Sequence, residues 1–589
     1  MILDKVNFPK DLKALSIEEM NTLADEMRDL IIKKVNTTGG HMGPNLGILE
    51  ATVALHYVFN CPEDKVVFDV SHQCYPHKIL TGRKEGFTNP EKYLTYTGYT
   101  APEESEYDLF KVGHTSTSVS LATGVAKARD LKGGKYNVIA LIGDGSLSGG
   151  EALEGLDNAA TINSNIIIIV NDNDMSIAEN HGGLYDNLKL LRDTNGKAEL
   201  NFFKSLGFEY CYVENGNNIE DLINAFKSVK DTTKPTVVHI HTKKGHGLAV
   251  AEENKEAFHW ILPGTLDEKD EAPASGGESY EELTKEFILN KVSNNDPVCV
   301  VNAGTPGVFG FDKSYREKLG KHYTDVGIAE EHAVAYSSAM ASQGAKPIFC
   351  VMSSFVQRTY DQMSQDLCLN NSPLTMLVYW GGLSGADATH LCSFDMSLIG
   401  NIPNMVYLAP TNKEEYLAML EYAYNQNERP VAIRVPSCGL VSTGIKDETD
   451  YSQLNTFKMV HHGEKIAILG LGNFFGLAQE LKEEIKAQLG IDATLINPRF
   501  ITGIDVEMLE NLKKDHCTVI TLEDGMLNGG FGEKIARFYG NSSMKVLNYG
   551  GLKEFSDRVA IDELYTRYHL TKDLIVNDIK SIISDKCCV

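Results

Sequence analysis

The sequence predicts an α/β fold with mainly parallel sheets along most of the chain. Short apolar runs rich in β-branched residues alternate with amphipathic stretches, and several runs are bounded by Gly, Asp or Asn. Buried parallel strands joined by crossover helices produce this alternation. The runs that we predict to be strands are residues 138–142, 165–170, 236–240, 297–301, 375–379, 465–469 and 517–522.

Two polar segments predict a division into three domains. Residues 263–279 are rich in Pro, Gly, Ser and acidic side chains, and residues 437–463 are polar with one short apolar patch. Between such linkers, segments of ordinary domain size remain. The predicted domains are residues 1–265, 280–438 and 464–589.

The charge and cysteine content limit the classes of partner. The 80 acidic residues outnumber the 55 basic ones, and the net charge is −25. Such an acidic chain is a poor match for nucleic acid or an anionic membrane, so we expect neither as a partner. The 11 cysteines show no CxxC spacing, and residues 1–10 do not resemble a signal peptide. Together with the lack of a long apolar run, this predicts a cytoplasmic protein.

The clearest motif follows the predicted strand 138–142. The residues Gly143-Asp144-Gly145-Ser146 come next, and a helix is predicted to begin near residues 147–151. Glycines allow backbone N–H groups to approach an anion, and a helix N-terminus favours negative charge. Asp144 fits such a site only if a cation lies between it and the anion. The motif therefore predicts a diphosphate–Mg²⁺ site.

A second polar cluster follows the predicted strand 165–170. This cluster contains Asn173 and Met175. Neighbouring parallel strands present their carboxyl ends at one edge of the sheet, so Asn173 should approach Asp144 there. A Gly-Asp-Gly sequence alone is more often a simple turn, but the strand–helix–strand context favours a metal site.

Several motifs, in order, resemble one enzyme family. Gly143-Asp144-Gly145 followed by Asn173 resembles the thiamine diphosphate motif of the transketolase superfamily. Five further segments are similar to the 1-deoxy-D-xylulose-5-phosphate synthase family, namely residues 40–47, 71–78, 113–118, 328–333 and 355–362. The resemblance implies three doubly wound α/β domains of transketolase type and a homodimer.

The resemblance also implies a reaction. Pyruvate would condense with D-glyceraldehyde 3-phosphate, with loss of CO₂, to give 1-deoxy-D-xylulose 5-phosphate, a precursor of isoprenoids, thiamine and pyridoxal. The implied cofactors are thiamine diphosphate and Mg²⁺. The alternatives are a transketolase-like ketol transferase, a pyruvate carboligase with another acceptor, a decarboxylating component with an acyl-carrier partner, and a catalytically silent homologue.

Residue roles follow from the same resemblance. The implied metal ligands are Asp144, Asn173 and the carbonyl of Met175. The implied cofactor contacts are His72, Gly113, His114, Thr115, Gly145, Ser146, Asn173, Glu330 and Phe355. The implied catalytic residues are Glu330, His41, His390, Asp387, Arg358, Arg434 and His259. Glu330 would hydrogen-bond the aminopyrimidine ring, and burial beside that ring should raise its pKa.

Some positions depart from the pattern or leave two interpretations open. Trp380 stands where a second phosphate-binding arginine is expected, and Met352 and Leu248 stand where tyrosines are expected. For His77 and His332 a structural role is as plausible as a functional one. The loop 243–247 could face a phosphate or could be a solvated basic turn.

Overall fold

The fold follows the predicted alternation of strands and helices. A computed structural model describes residues 1–267 and 278–583, so residues 268–277 of the first predicted linker lie outside the described residues. All seven predicted strands are strands in the structure. Two compact units are present: the first holds the described residues up to 267 together with Gly327–Ala329, and the second holds the others.

The first unit is built on a five-stranded sheet in the order β1-β2-β3-β5-β4. Every pairing in it is parallel. The strands are β1 (Lys65–Phe68), β2 (Val138–Gly143), β3 (Ile167–Asp172), β4 (Glu209–Val213) and β5 (Thr236–His241). The α-helices of this unit are Pro9–Leu12, Ile17–Thr38, Gly43–Gly47, Leu49–Val58, Tyr75–Lys78, Glu85–Thr88, Ser118–Leu131, Gly150–Ala159, Gly183–Asp193, Phe202–Leu206, Ile219–Val229 and Ala249–Glu253.

Burial of both faces of this sheet explains the continuous apolar runs. Alternate side chains of β2 belong to two different hydrophobic clusters, one on each face. Polar side chains are therefore placed mainly beyond the strand ends. Gly143 pairs with Asn171, so β2 and β3 end level with each other and their following loops lie side by side.

The second unit contains two sheets. The first is a parallel six-stranded sheet in the order β10-β11-β9-β8-β6-β7. Its strands are β6 (Val298–Asn302), β7 (Tyr323–Asp325), β8 (Lys346–Met352), β9 (Thr375–Tyr379), β10 (Val406–Leu408) and β11 (Val431–Arg434). The α-helices of this part are Tyr280–Ser293, Lys313–Leu319, Glu330–Ser342, Tyr360–Gln362, Asp395–Ile399 and Lys413–Asn425.

The other sheet has five strands in the order β12-β14-β13-β15-β16. These are β12 (Lys458–His461), β13 (Lys465–Gly470), β14 (Thr494–Asn497), β15 (His516–Met526) and β16 (Lys545–Gly551). Only β12 pairs antiparallel, among the described residues, and it lies inside the segment that we predicted to be a linker. This segment gave no strand signal because β12 is a short edge strand whose apolar side chains, Met459 and Val460, are exposed. The α-helices are Phe475–Leu489, Val506–Leu512, Phe531–Tyr539, Ile561–Arg567 and Lys572–Ile583.

One hydrophobic cluster joins the two sheets of the second unit. It contains Met396 and Ile399 from the six-stranded part and Leu469, Ile496 and Ile535 from the five-stranded part. All five side chains are fully buried. The two sheets therefore share a core. In the part of the chain that the structure describes, no helix is both long and apolar enough to cross a bilayer.

The carboxylate of Asp69, directly after β1, holds the loop that precedes helix Ser118–Leu131. It is fully buried and accepts hydrogen bonds from the backbone N–H groups of Ser116 at 2.8 Å and Ser118 at 2.9 Å. We expect Asp69→Ala to lower the free energy of unfolding by about 2–4 kcal/mol, because two buried N–H groups lose their acceptor.

Urea denaturation of the cofactor-free protein would measure this loss. The control is Asp193→Ala, which removes an exposed carboxylate paired with Lys189 and should change stability by less than about 0.5 kcal/mol. Equal unfolding midpoints for the two variants would contradict the proposed anchoring role of Asp69.

Candidate active site

Asp144 lies at the carboxyl end of β2 and is buried, with 2% of its surface exposed. Its Oδ2 accepts hydrogen bonds from the Met175 backbone N–H at 3.0 Å and from Asn180 Nδ2 at 2.8 Å. Burial, reinforced by the nearby Asp172 carboxylate, raises the pKa of Asp144 to about 7. The loops after β2 and β3 thus meet at Asp144, as the sequence predicted.

Three polar atoms around Asp144 are buried and have no hydrogen-bond partner in the structure. They are Asn173 Oδ1, Ser176 Oγ and Asn180 Oδ1. A buried polar atom without a partner is costly, and such groups in native proteins usually face a ligand, an ion or water. The chemistry of this oxygen-rich set fits Mg²⁺ bound together with a phosphate.

Glycine is needed beside these atoms. A Cβ atom at Gly145 would lie 2.7 Å from Ser176 Oγ and 3.0 Å from Ser176 Cα, which is closer than real Cβ contacts. Gly145 therefore allows the two loops to approach each other closely. The 3₁₀ turn Asp144–Ser148 follows β2, and the α-helix Gly150–Ala159 begins within the predicted interval 147–151.

Two lysines reach the loop after β3. Lys244 Nζ donates to the carbonyl of Ser176 at 2.5 Å, and Lys255 Nζ donates to the carbonyl of Asn173 at 3.2 Å. Lys244 is 2% exposed, and burial lowers its pKa to about 7. Of the two interpretations of the loop 243–247, this burial favours a loop that faces the site over a solvated turn.

The loop with Gly113, His114 and Thr115 lies against the Asp144 loop. Ser116 Oγ donates to the carbonyl of Ser146 at 2.8 Å, which joins the two loops directly. The positive φ of 76° at Ser116 gives the tight bend that this contact needs. The loop that carries Gly113, His114 and Thr115 is therefore joined through Ser116 to the residues that follow β2.

His41, His72 and His259 form one cluster. Their ring centroids are 4.8 Å apart for His41–His72, 5.5 Å for His41–His259 and 5.3 Å for His72–His259. The buried amide of Asn45 fixes two of them, because its Nδ2 donates to the carbonyls of His41 and His72, both at 2.8 Å. Burial, more than the nearby positive groups, lowers the pKa of His259 well below its usual value, so its imidazole is neutral.

In the second unit, Glu330 begins helix Glu330–Ser342 and is 3% exposed. Its Oε2 has no hydrogen-bond partner and lies 3.7 Å from Arg358 Nη1. Burial raises the pKa of Glu330 to about 7, although the positive charge of Arg358 acts in the opposite direction. A carboxyl group with this pKa can hold or release a proton near neutral pH.

Phe355, Asp387 and His390 lie together at the ends of β8 and β9. Phe355 follows β8, and its ring packs edge-to-face on His390 with centroids 5.8 Å apart. Thr389 Oγ1 lies 2.8 Å from both Asp387 Oδ1 and His390 Nδ1. Burial lowers the pKa of His390. The structure thus brings three of the predicted site residues together.

Arg434 is placed differently from a solvent-facing phosphate ligand. It is 2% exposed at the end of β11, its Nε donates to Asp395 Oδ2 at 2.7 Å, and its Nη1 donates to Asp524. Asp524 comes from β15, so this guanidinium connects the two sheets of the second unit. Its predicted contact with the acceptor stays a prediction.

The remaining positions noted in the sequence differ in burial and contacts. His77 is buried between His56 and Asp108, its Nε2 at 2.8 Å from Asp108 Oδ1, which favours the structural role. His332 is exposed. Trp380 follows β9 in a left-handed conformation, with a φ of 62°, and is 47% exposed.

Sequence reasoning missed several residues of these clusters. Asn180 contacts Asp144, Lys255 contacts the Asn173 carbonyl and Asn45 contacts the histidine cluster. Asp395 and Asp524 hold Arg434. Asn180 is seven residues beyond Asn173, and a search for oxygen ligands there could have found it. The others contact the site from distant segments, and no spacing in the sequence indicates that.

Family models cover most of the chain. Residues 3–201 and 194–242 match the model described as 1-deoxy-D-xylulose-5-phosphate synthase. Residues 282–438 match the transketolase pyrimidine binding domain, and residues 455–575 match the transketolase C-terminal domain. A transketolase from Campylobacter jejuni is 18% identical over 96% of this chain and 100% of its own, but its TM-score of 0.44 is too low to carry an argument.

Relatives that align over nearly the whole chain are described as the same enzyme. The 1-deoxy-D-xylulose-5-phosphate synthase of Carboxydothermus hydrogenoformans is 36% identical over 99% of both chains. Those of Clostridium beijerinckii, with 97% of both chains covered, and Clostridium perfringens, with 91% of this chain and 92% of its own, are 36% and 37% identical. With the buried Asp144 and Glu330 and an N-terminal match specific to these enzymes, the chain belongs to the 1-deoxy-D-xylulose-5-phosphate synthase family.

Proposed function

We propose that this transferase condenses pyruvate with D-glyceraldehyde 3-phosphate to form 1-deoxy-D-xylulose 5-phosphate and CO₂. The family is thiamine diphosphate-dependent, and Mg²⁺ is the metal that we propose. The observation that carries the proposal is Glu330, a buried carboxyl group with an unpartnered oxygen and a pKa of about 7. Such a group is suited to proton sharing with a ring nitrogen.

Residues of the first unit would hold the diphosphate and the metal. Asp144, Asn173 Oδ1 and the Met175 carbonyl would bind Mg²⁺, because they offer the hard oxygen ligands that this ion prefers. Gly145 and Ser146 would contact the diphosphate, together with His72 and the loop of residues 113–115. The unpartnered oxygen of Asn173 supports this assignment.

Residues of the second unit would act on the rest of the cofactor. When bound, thiamine diphosphate supplies a nucleophilic carbon for attack on the keto group of pyruvate. Glu330 would hydrogen-bond the aminopyrimidine, and Phe355 would stack on it. Arg358 keeps a positive charge 3.7 Å from Glu330 and so limits the rise in its pKa.

Histidines would donate protons to the substrates and accept protons from them. The imidazoles of His41, His259 and His390 can donate to or accept from substrate oxygens near pH 7, and burial lowers the pKa of His259 and His390. Asp387 would orient a hydroxyl group of the acceptor, and Arg434 would contribute positive charge on the acceptor side. We also propose the three domains 1–265, 280–438 and 464–589, a homodimer and a cytoplasmic location.

A pyruvate carboligase with a different acceptor is the second candidate. Trp380 favours it, because this half-exposed aromatic side chain stands where the resemblance predicts a phosphate-binding arginine. The two candidates differ only in the aldehyde, so a choice of acceptors in one assay separates them.

Labelled pyruvate tests the proposal directly. We expect the protein with thiamine diphosphate and Mg²⁺ to release labelled CO₂ from carboxyl-labelled pyruvate, faster when D-glyceraldehyde 3-phosphate is added. Mass spectrometry should identify the deoxyketose phosphate. Stimulation only by other aldehydes would replace this reaction with the carboligase, and no turnover with any aldehyde would refute both.

Removing the metal ligand should weaken cofactor binding. Asp144→Ala is expected to reduce the Mg²⁺-dependent affinity for thiamine diphosphate by about 100-fold or more, since the metal loses a charged ligand. Isothermal titration calorimetry with and without Mg²⁺ measures this. Asp157→Ala, an exposed carboxylate on the following helix, is the control and should bind normally. Unchanged binding by the Asp144 variant would refute the metal role.

Glu330→Gln should stabilise the folded protein at high pH and lower its turnover. The folded pKa of about 7 lies above the ordinary 4.5, so burial of Glu330 costs stability as the pH rises through that interval. The cofactor-free variant should therefore be more stable than the wild type at pH 8, by on the order of 1–3 kcal/mol, and equal to it below about pH 4.5. Its turnover should fall roughly 100-fold or more.

Thermal denaturation across pH 4.5–8 checks this dependence. Glu331→Gln is the matched control, because the neighbouring Glu331 is only partly buried. A pH-independent difference between wild type and Glu330→Gln would contradict the proposed environment of Glu330.

A further inference from the structure

The proposed acceptor brings a phosphate group to a part of the second unit that is rich in carboxylates. A Cβ atom at Gly381 would lie 2.6 Å from Arg434 Nε and 3.0 Å from Asp395 Oδ2, and one at Gly382 would lie 2.8 Å from Asp524 Oδ2, so two carboxylates accompany the single guanidinium of Arg434. Asp387 follows in the same segment. A phosphate dianion bound there needs a positive charge to offset these carboxylates.

The positively charged side chains predicted from the sequence do not by themselves provide a positive charge for this phosphate. Trp380 replaces one arginine, and Arg434 is buried with Asp395 and Asp524. Arg358 lies 3.7 Å from Glu330, on the side where we propose the aminopyrimidine. Another basic side chain would complete the acceptor site.

A segment of the five-stranded part, residues 557–559, lies directly on the Asp387 loop. The backbone N–H of Arg558 donates to the carbonyl of Ala386 at 2.9 Å, and the backbone N–H of Ala388 donates to Asp557 Oδ1 at 3.1 Å. A Cβ atom at Gly385 would lie 2.9 Å from the Val559 carbonyl. These contacts fix Arg558 beside the residues proposed to bind the acceptor.

Arg558 has two further unusual properties. Its φ of 53° is left-handed, a conformation that is uncommon for a residue other than glycine, and its backbone N–H and the preceding Asp557 both hydrogen-bond to the loop of Asp387. Its side chain is 36% exposed, with Nε 3.6 Å from Asp557 Oδ1. It is thus an accessible guanidinium, in contrast to the buried one of Arg434.

We propose that Arg558 binds the phosphate group of the acceptor aldehyde and supplies the positive charge that Trp380 does not. The planar guanidinium offers paired N–H donors that match phosphate oxygens. This assignment rests on the proposed function, and it names Arg558 as a specificity-determining residue from the C-terminal part of the chain.

The test compares two acceptors that differ only in the phosphate. We expect Arg558→Gln to raise the KM for D-glyceraldehyde 3-phosphate about 10- to 100-fold more than the KM for D-glyceraldehyde. Arg558→Lys should recover part of the affinity. The control is Arg567→Gln, which removes another exposed arginine that pairs with Glu554 at 3.1 Å, and it should resemble the wild type.

A binding measurement without turnover separates this inference from the proposed function. Inorganic phosphate, titrated calorimetrically into the protein loaded with thiamine diphosphate and Mg²⁺, should bind the wild type more tightly than Arg558→Gln. Equal phosphate binding, or equal KM changes for the two aldehydes, would overturn the role of Arg558. A wild type that binds phosphate through Arg558 but does not turn over pyruvate would overturn the proposed function alone.

Discussion

The positions of several proposed site residues depend on the burial of parallel sheets on both faces. A strand covered on both sides holds a charged side chain only where a buried partner compensates the charge, as for Arg434, so polar side chains are concentrated near the strand ends. Asp144 follows β2, Phe355 lies just beyond β8, and Arg434 is the last residue of β11. The same constraint that gives the continuous apolar runs also concentrates the reactive groups at one edge of each sheet.

Burial also sets the protonation of the two central carboxyl groups. Asp144 and Glu330 both have a pKa of about 7, chiefly because each is desolvated. Asp172 is also buried, yet its pKa is lowered because His239 and Arg192 hydrogen-bond it. The partners of a carboxylate, and not its burial alone, therefore set the direction in which its pKa shifts.

The two sheets of the second unit share a hydrophobic core and a buried ion pair. A common hydrophobic cluster joins them, and the pair Arg434–Asp524 adds a buried ionic contact between β11 and β15. Breaking such a pair leaves an uncompensated buried charge, so it constrains how the two sheets meet. This shared surface also brings the segment of Arg558 against the loop of Asp387. Under the proposed role of Arg558, the C-terminal part would contribute a side chain to the acceptor site.

The sequence by itself determined the α/β fold, seven of the strands and the meeting of the Asp144 and Asn173 loops. Those features depend on local periodicity and on glycine turns, which a single stretch of residues records. Only the tertiary structure decided that Asn180 contacts Asp144 and Lys255 contacts Asn173, that β12 is an edge strand, that Asp395 and Asp524 hold Arg434, and that Arg558 lies on the loop of Asp387. These contacts join segments far apart in the chain or depend on solvent exposure, and local sequence patterns carry no signal for either.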